Sequence, residues 1–145
     1  MGKDKEYLYE DLTHTLIGCF FGVHNSLGVG YDEIAYHKAL ERQFQIAGIE
    51  HCSKERKALI HRGQKVKEFE ADFIITNKIV LELKSIQSQF LQPNYVQIIS
   101  ELKLWNFALG LLVNFGLQKV KVERIPFTEK NKALTENYDC KLWKK

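Results

Sequence analysis

Residues 70–84 constrain this chain more than any other stretch. Phe73-Ile74-Ile75 and Ile79-Val80-Leu81 are runs of β-formers, and Thr76-Asn77-Lys78 between them has turn chemistry. The segment therefore reads as two strands joined by a tight turn. Asp72, Glu82 and Lys84 interrupt this apolar hairpin. Side chains two residues apart share a strand face, so Glu82 and Lys84 point the same way. A turn near Asn77 brings Asp72 roughly level with Glu82. Two carboxylates and an ammonium then converge beside a hydrophobic layer, where charge is costly unless it is paired or metal-bound. One reading is a cross-strand salt bridge on the open face of a sheet. The other is a metal site. A hard cation such as Mg²⁺ takes one or two carboxylates plus substrate phosphate, with Asp72 and Glu82 as ligands and Lys84 facing a phosphate or the attacking water.

Upstream, the spacing predicts a helix over about 9–26. Leu12, Leu16, Cys19, Phe20, Val23 and Leu27 recur at three- and four-residue steps, with Ile17 and Phe21 widening the stripe. His24 lies near its end, the usual place of a surface histidine or a cap for the last carbonyls. A second helix is expected over about 31–47, with Ile34, Leu40, Phe44 and Ala47 inward and Gly48 ending it. Glu33 and Tyr36 are neighbours on one side of its first turn. On spacing alone, Glu33 is a carboxylate favoured by the helix dipole.

Residues 51–60 read as a strand, 61–64 as a turn, and 66–75 as the returning strand that carries Asp72. This first hairpin holds Lys54, Arg56, Lys57, Arg62, Lys65 and Lys67 against Glu55 and Glu68. It is either a solvated hairpin or a phosphate-contacting patch that positions a nucleic acid without reading its sequence. Pro93 opens a helix running to about Phe107, with Val96, Ile99, Leu102, Leu104 and Phe107 on its apolar side. Gln97 and Glu101 lie four apart on another side. Leu109–Phe115 is a continuous apolar run, as expected of a strand buried on both faces. Residues 118–125 alternate like an edge strand that Pro126 stops.

The 145 residues suit one domain with one core. The formal net charge is +3, and five lysines against three acidic residues in 128–145 supply most of it. The body lacks the strongly basic balance of a non-specific nucleic-acid coat, so any such contact must come from a local patch. Cys19, Cys52 and Cys140 are scattered and odd in number, which argues for a reducing compartment and against a disulfide framework or zinc site. The longest apolar run, Leu16–Val23, is too short to span a bilayer, and the charged first residues have no signal core. The expectation is a cytoplasmic protein with no membrane partner.

Asp72, nine residues, then Glu82-Leu83-Lys84 resembles the core motif of the PD-(D/E)xK nuclease superfamily. Gly30-Tyr31-Asp32-Glu33-Ile34-Ala35-Tyr36 resembles the Gly-x-x-Glu-x-x-Tyr pattern that names one family within it, the GxxExxY proteins. Val23-His24, Leu27-Gly28, Gln97 and Gly110-Leu111-Leu112-Val113-Asn114-Phe115 follow in that family's order. The similarity runs from about Leu12 to Ile125.

The resemblance implies an α/β, restriction-endonuclease-like core. A central mixed sheet of four or five strands would be flanked by two N-terminal helices and one crossover helix. It places a nuclease-like domain at 1–127 and leaves 128–145 as a polar tail or short docked helix. It implies hydrolysis of phosphodiester bonds, in DNA before RNA, with Mg²⁺ or Mn²⁺ as cofactor. Asp72, Glu82 and the Leu83 carbonyl would bind the metal, and Glu33 would complete the acidic set. Lys84 would orient water or stabilise developing charge, Gln97 would position the water, and His24 and Tyr36 would line the site. The chain departs from its relatives at Ser100-Glu101-Leu102-Lys103, where they often read Asn-Tyr-Leu-Lys. Glu101 adds negative charge one turn from Gln97.

A different class of function stays open. In a non-catalytic module binding nucleic acid or a protein, the same residues form a structural ion cluster and the basic hairpin or the tail carries binding. A subunit of a larger repair, restriction or mobile-element system is a third reading. A homodimer or a partner protein is compatible with each.

Overall fold

The computed structural model describes residues 8–136. Two helices lead: α1 (Glu10–Leu27) and α2 (Glu33–Ala47). Strands β1 (His51–His61), β2 (Gln64–Ile75) and β3 (Ile79–Lys84) follow, then α3 (Gln92–Trp105), β4 (Leu109–Asn114), β5 (Lys121–Pro126) and the short α4 (Glu129–Glu136). The five strands form one mixed sheet in sequence order. Only β3 and β4 are parallel, because α3 crosses over between them; every other neighbouring pair is antiparallel. No helix among the described residues is long and apolar enough to cross a membrane.

The turns follow from local chemistry. Arg62-Gly63 both have positive φ, the backbone a two-residue hairpin needs to match strand twist, and Thr76 and Asn77, the first two residues of the three-residue turn Thr76-Asn77-Lys78, are left-handed as well. The second turn sets the register Ile75↔Ile79, Ile74↔Val80 and Phe73↔Leu81, so Asp72 falls opposite Glu82. Asp32 caps α2 by accepting from the Ala35 amide at 3.0 Å, and Gly48 ends it in the left-handed region.

Two apolar layers sandwich the sheet. On one face Leu16, Phe20, Tyr36, Leu40 and Phe44 of α1 and α2 pack against Phe73, Leu81, Leu83, Leu111 and Phe115. On the other, Ile98, Ile99 and Leu102 of α3 pack against Ile74, Val80 and Leu112. The stripe of α1 lies inward as its periodicity predicts, but Phe21 is about half exposed, outside that stripe. In α2, Ile34 is exposed and Ala47 is not buried; His37 fills the inward position instead, stacked on Phe73 at 4.1 Å. In α3, Ile98 is inward where the spacing favoured Val96 and Leu104, which are only half-buried.

Beyond residue 136 nothing is described, so Cys140, Leu142 and Trp143 lie outside the described residues. Helix α4 rests beside α3, where Lys103 Nζ donates to Thr135 Oγ1 at 3.3 Å.

Candidate active site

The site forms where the ladder between β2 and β3 ends. Main-chain pairing stops at Phe73↔Leu81, and carboxylates take over the next rungs. The Asp72 amide donates to Glu82 Oε1 at 3.3 Å, and the Leu83 amide donates to Asp72 Oδ2 at 2.8 Å. These bonds satisfy strand groups that would otherwise be orphaned and fix both side chains on the α3 face. Glu82 is only 3% exposed.

No ion pair joins Lys84 to Asp72 or Glu82 among the described residues, so a cross-strand salt bridge of these three is not what the sheet carries. The Lys84 ammonium donates to Gln97 Oε1 at 3.3 Å, and Gln97 Nε2 donates to Glu82 Oε2 at 3.4 Å. Gln97 and Glu101 therefore face the sheet. Spacing alone set them on a side other than the apolar one; they face the sheet because α3 lies over the charged end of β3. Glu101 is 1% exposed, and its Oε1 has no hydrogen-bond partner.

Glu33 opens α2 and is largely exposed, yet it shares the field of the site. Desolvation raises its carboxyl; Lys84 pulls it down, Asp72 pushes it up, and Lys54 and Asp32 act in the same two senses. Lys54 was expected only as a phosphate contact, but it sits at the site itself, 3.1 Å from Asp72 Oδ1 and 3.8 Å from Glu70. Desolvation pulls the Lys54 ammonium down, and its hydrogen bond to Asp72 with the attraction of Asp72 and Glu70 raises it overall.

Tyr36 is fully buried, stacked on Phe115 at 4.8 Å, with its hydroxyl donating to the Gly28 carbonyl. His24 is buried against the Leu117 carbonyl at 2.9 Å and the Phe115 ring. Both make ring contacts with Phe115. In the basic hairpin, Arg56 is held by Glu68 and Glu70 and Lys65 by Glu68, while Lys67 lies over the Phe69 ring. Lys57 and Arg62 are exposed and carry no ion pair among the described residues. The patch is thus partly neutralised by its own strand partners, Glu70 included.

Three buried or half-buried acids share one small volume. Burial is the main cause that lifts Glu82 well above the ordinary carboxylate range, with Glu101 and then Asp72 adding repulsion. Burial likewise pushes Glu101 up to about 7, against the opposing hydrogen bonds to Glu82 and Gln97. The folded chain therefore holds protons there that the unfolded chain releases near pH 4.5. Stability from this pair is full below about pH 4.5 and is lost as pH rises through about 7. The melting temperature of EDTA-treated protein should fall between about pH 5 and pH 8, and Glu101→Gln should flatten that fall. A wild-type profile that Glu101→Gln leaves unchanged would contradict the pairing.

The sequence profile of the PD-(D/E)XK nuclease superfamily matches residues 10–125. The chain belongs to this superfamily. The crystal structure of SSO0001 aligns with it at a TM-score of 0.59 and 20% identity, covering 79% of this chain and 59% of that one. This superfamily member thus spans under two thirds of that protein's length. The likeness shows the fold, a restriction-endonuclease-like α/β core. No curated protein sequence matches the chain.

Superfamily members are typically nucleases that use Mg²⁺ or Mn²⁺. No three His, Cys, Asp or Glu side chains among the described residues converge as a ready metal cluster. The donor set nevertheless fits a hard divalent cation, which needs one or two carboxylates and completes its shell with water, main-chain carbonyl and phosphate. The partnerless Glu101 oxygen, beside a Glu82 whose ionised form burial disfavours, shows that the site is short of donors for its carboxyl groups.

Proposed function

We propose that this chain is a Mg²⁺- or Mn²⁺-dependent nuclease of the GxxExxY family that hydrolyses phosphodiester bonds, with DNA as first substrate. One observation carries the reading. Asp72 and Glu82 are fixed side by side at the end of the β2–β3 ladder, while the Lys84 ammonium is held by Gln97 instead of being spent in a salt bridge. Asp72, Glu82 and the Leu83 carbonyl would hold the metal, with Glu33 reaching the same field from α2. When bound, the metal lowers the pKa of a water and neutralises phosphate charge.

The chain's own groups do the rest. Lys84 stands beside the acidic cluster and stabilises the negative charge that develops on the phosphate, a role preferred here to proton abstraction. Gln97 keeps Lys84 and Glu82 at fixed separation and is placed to orient a water. Lys57, Arg62 and Lys67 are the hairpin cations best placed for phosphate contact; Lys54, Arg56 and Lys65 are tied to acids in this state. The catalytic unit is residues 1–127, with 128–145 as a tail, and the protein acts in the cytoplasm, with a second copy where two strands are cut.

The test is cleavage of labelled DNA and RNA, single- and double-stranded, with Mg²⁺ or Mn²⁺ and an EDTA control. Lys84→Ala is expected to lower the rate about a hundredfold or more while leaving the melting curve near wild type. No cutting at enzyme excess, together with no divalent-metal binding by calorimetry, would leave the non-catalytic binding module as the reading.

A further inference from the structure

Lys54 has the least ordinary backbone in the sheet. It lies inside β1 with φ +57°, a left-handed conformation that L residues other than Asn and Asp adopt rarely. The register is unbroken around it, with Ser53 opposite Phe73 and Glu55 opposite Ala71. No residue has been inserted, as a β-bulge would require. What the conformation changes is the rung at Lys54 itself, which is missing from the ladder opposite Asp72. The preceding residue is anchored: Ser53 Oγ is 2.7 Å from His37 Nε2, and His37 is stacked on Phe73.

The strained residue delivers one interaction. Its ammonium lies on Asp72 Oδ1 at 3.1 Å. The other oxygen, Oδ2, is taken by the Leu83 amide at 2.8 Å. Asp72 thus has one oxygen fixed by the main chain and one covered by a lysine whose side chain is 49% exposed. The amide cannot leave without breaking the strand end, whereas the lysine can swing into solvent. Non-Gly residues in such conformations persist where surrounding structure enforces them, and they cluster at functional sites.

We infer that Lys54 is a positioning residue whose ammonium competes with a divalent cation for Asp72 Oδ1 and so holds metal affinity down until nucleic acid arrives. When the cation takes that oxygen, the ammonium is released toward the adjoining phosphodiester. Metal and polyanion then favour each other's binding through one side chain. This rests on the metal-dependent reading above.

The experiment is Mn²⁺ titration by calorimetry of wild type, Lys54→Asn and Lys54→Arg, without nucleic acid. Asn tolerates the left-handed backbone, so Lys54→Asn removes the charge and keeps the strand; a thermal melt checks its fold. Lys54→Asn is expected to bind Mn²⁺ about three- to tenfold more tightly than wild type, and Lys54→Arg to stay near wild type. A short DNA duplex should bind wild type more tightly when Ca²⁺ is added, and the gain should shrink in Lys54→Asn. Equal or weaker Mn²⁺ binding by Lys54→Asn would overturn the inference while the metal site stands. Absence of Mn²⁺ binding in all three proteins would remove the metal-dependent reading and the inference with it.

Discussion

Glu82→Gln should abolish metal-dependent cleavage, by a factor of about a hundred or more, and yet raise the melting temperature of the metal-free protein at about pH 8. Catalysis and stability pull this residue in opposite directions. Glu82 is 3% exposed and faces Glu101, which is 1% exposed. Its oxygens accept from the Asp72 amide and Gln97, at 3.3 and 3.4 Å, and it shares a hydrogen bond with Glu101. None of these partners is a full positive charge, so the ionised form is poorly compensated. Glutamine keeps the shape and an acceptor for the Asp72 amide, and its own amide can donate to Glu101. Removing one uncompensated buried charge should stabilise the fold by about 1–2 kcal/mol. For a domain of this size that is a rise of a few degrees, roughly 2–4 °C per kcal/mol. The gain should shrink toward about pH 5, where protons already neutralise the pair. Scanning calorimetry at both pH values reads it directly. A variant less stable than wild type at both would mean that Glu82 holds the strand end together as an anion.

Gly116→Ala carries the second large effect, from packing alone. A methyl on Gly116 would stand 2.4 Å from the Ile86 carbonyl oxygen and 2.5 Å from its nitrogen. These are backbone atoms, and they have no room to retreat. The buried Asn114 side chain accepts from the amides of Ile86 and Gly116 and donates to the carbonyls of Ile86 and Ser88. Phe115 N bonds the Lys84 carbonyl at 2.9 Å. The loop after β3 is therefore clamped to the loop after β4, and Lys84 is the last residue before the clamp. Overpacking here should cost about 3 kcal/mol or more, measurable by urea unfolding. Cleavage should fall even where the variant is folded, because Lys84 loses its support. A loss under about 1 kcal/mol would show that the loop can relax away from the methyl.

Much of this arrangement was legible in the residues. A turn at Thr76-Asn77 and a period of two are enough to set Asp72 against Glu82 and to leave Lys84 on the same face. The inward residues of α1 follow from spacing, because that helix packs on one side only. Helix α3 was harder to read. Its charged end of β3 lies under Gln97 and Glu101, and a polar residue turned toward a site has the same periodicity signature as one turned toward water. Ile34 misled for the converse reason: an apolar side chain at a helix start counts as core by pattern, while the chain entry angle leaves it outside.

Lys54 left no signal at all. Left-handed backbone at a lysine has no compositional mark, and one cation among six in a hairpin gives no hint that it reaches a carboxylate. Pairing of Arg56 with Glu70 was hidden too, because counting back from the turn sets Arg56 against Phe69, and only the register shift between Leu59 and Ile60 brings Glu70 opposite. His37 was missed because a helical histidine carries no pattern, although its burial on Phe73 anchors the strand beside Lys54.

The β1–β2 hairpin outruns its sheet. β3 pairs with β2 only at 73–75, and from Glu55 to Phe69 the two strands bond only each other. An isolated two-stranded ribbon is marginal in water, so its tip opens by local fraying at far lower free energy than the five-stranded base. Asp72 and Lys54 stand at the root, where the rigid body ends and the loose arm begins. The arm is a lever with its fulcrum at the carboxylate pair. Whatever bends or stiffens its tip at His61, seven residues beyond Lys54 and so about 23 Å out at a strand's rise per residue, loads those two side chains.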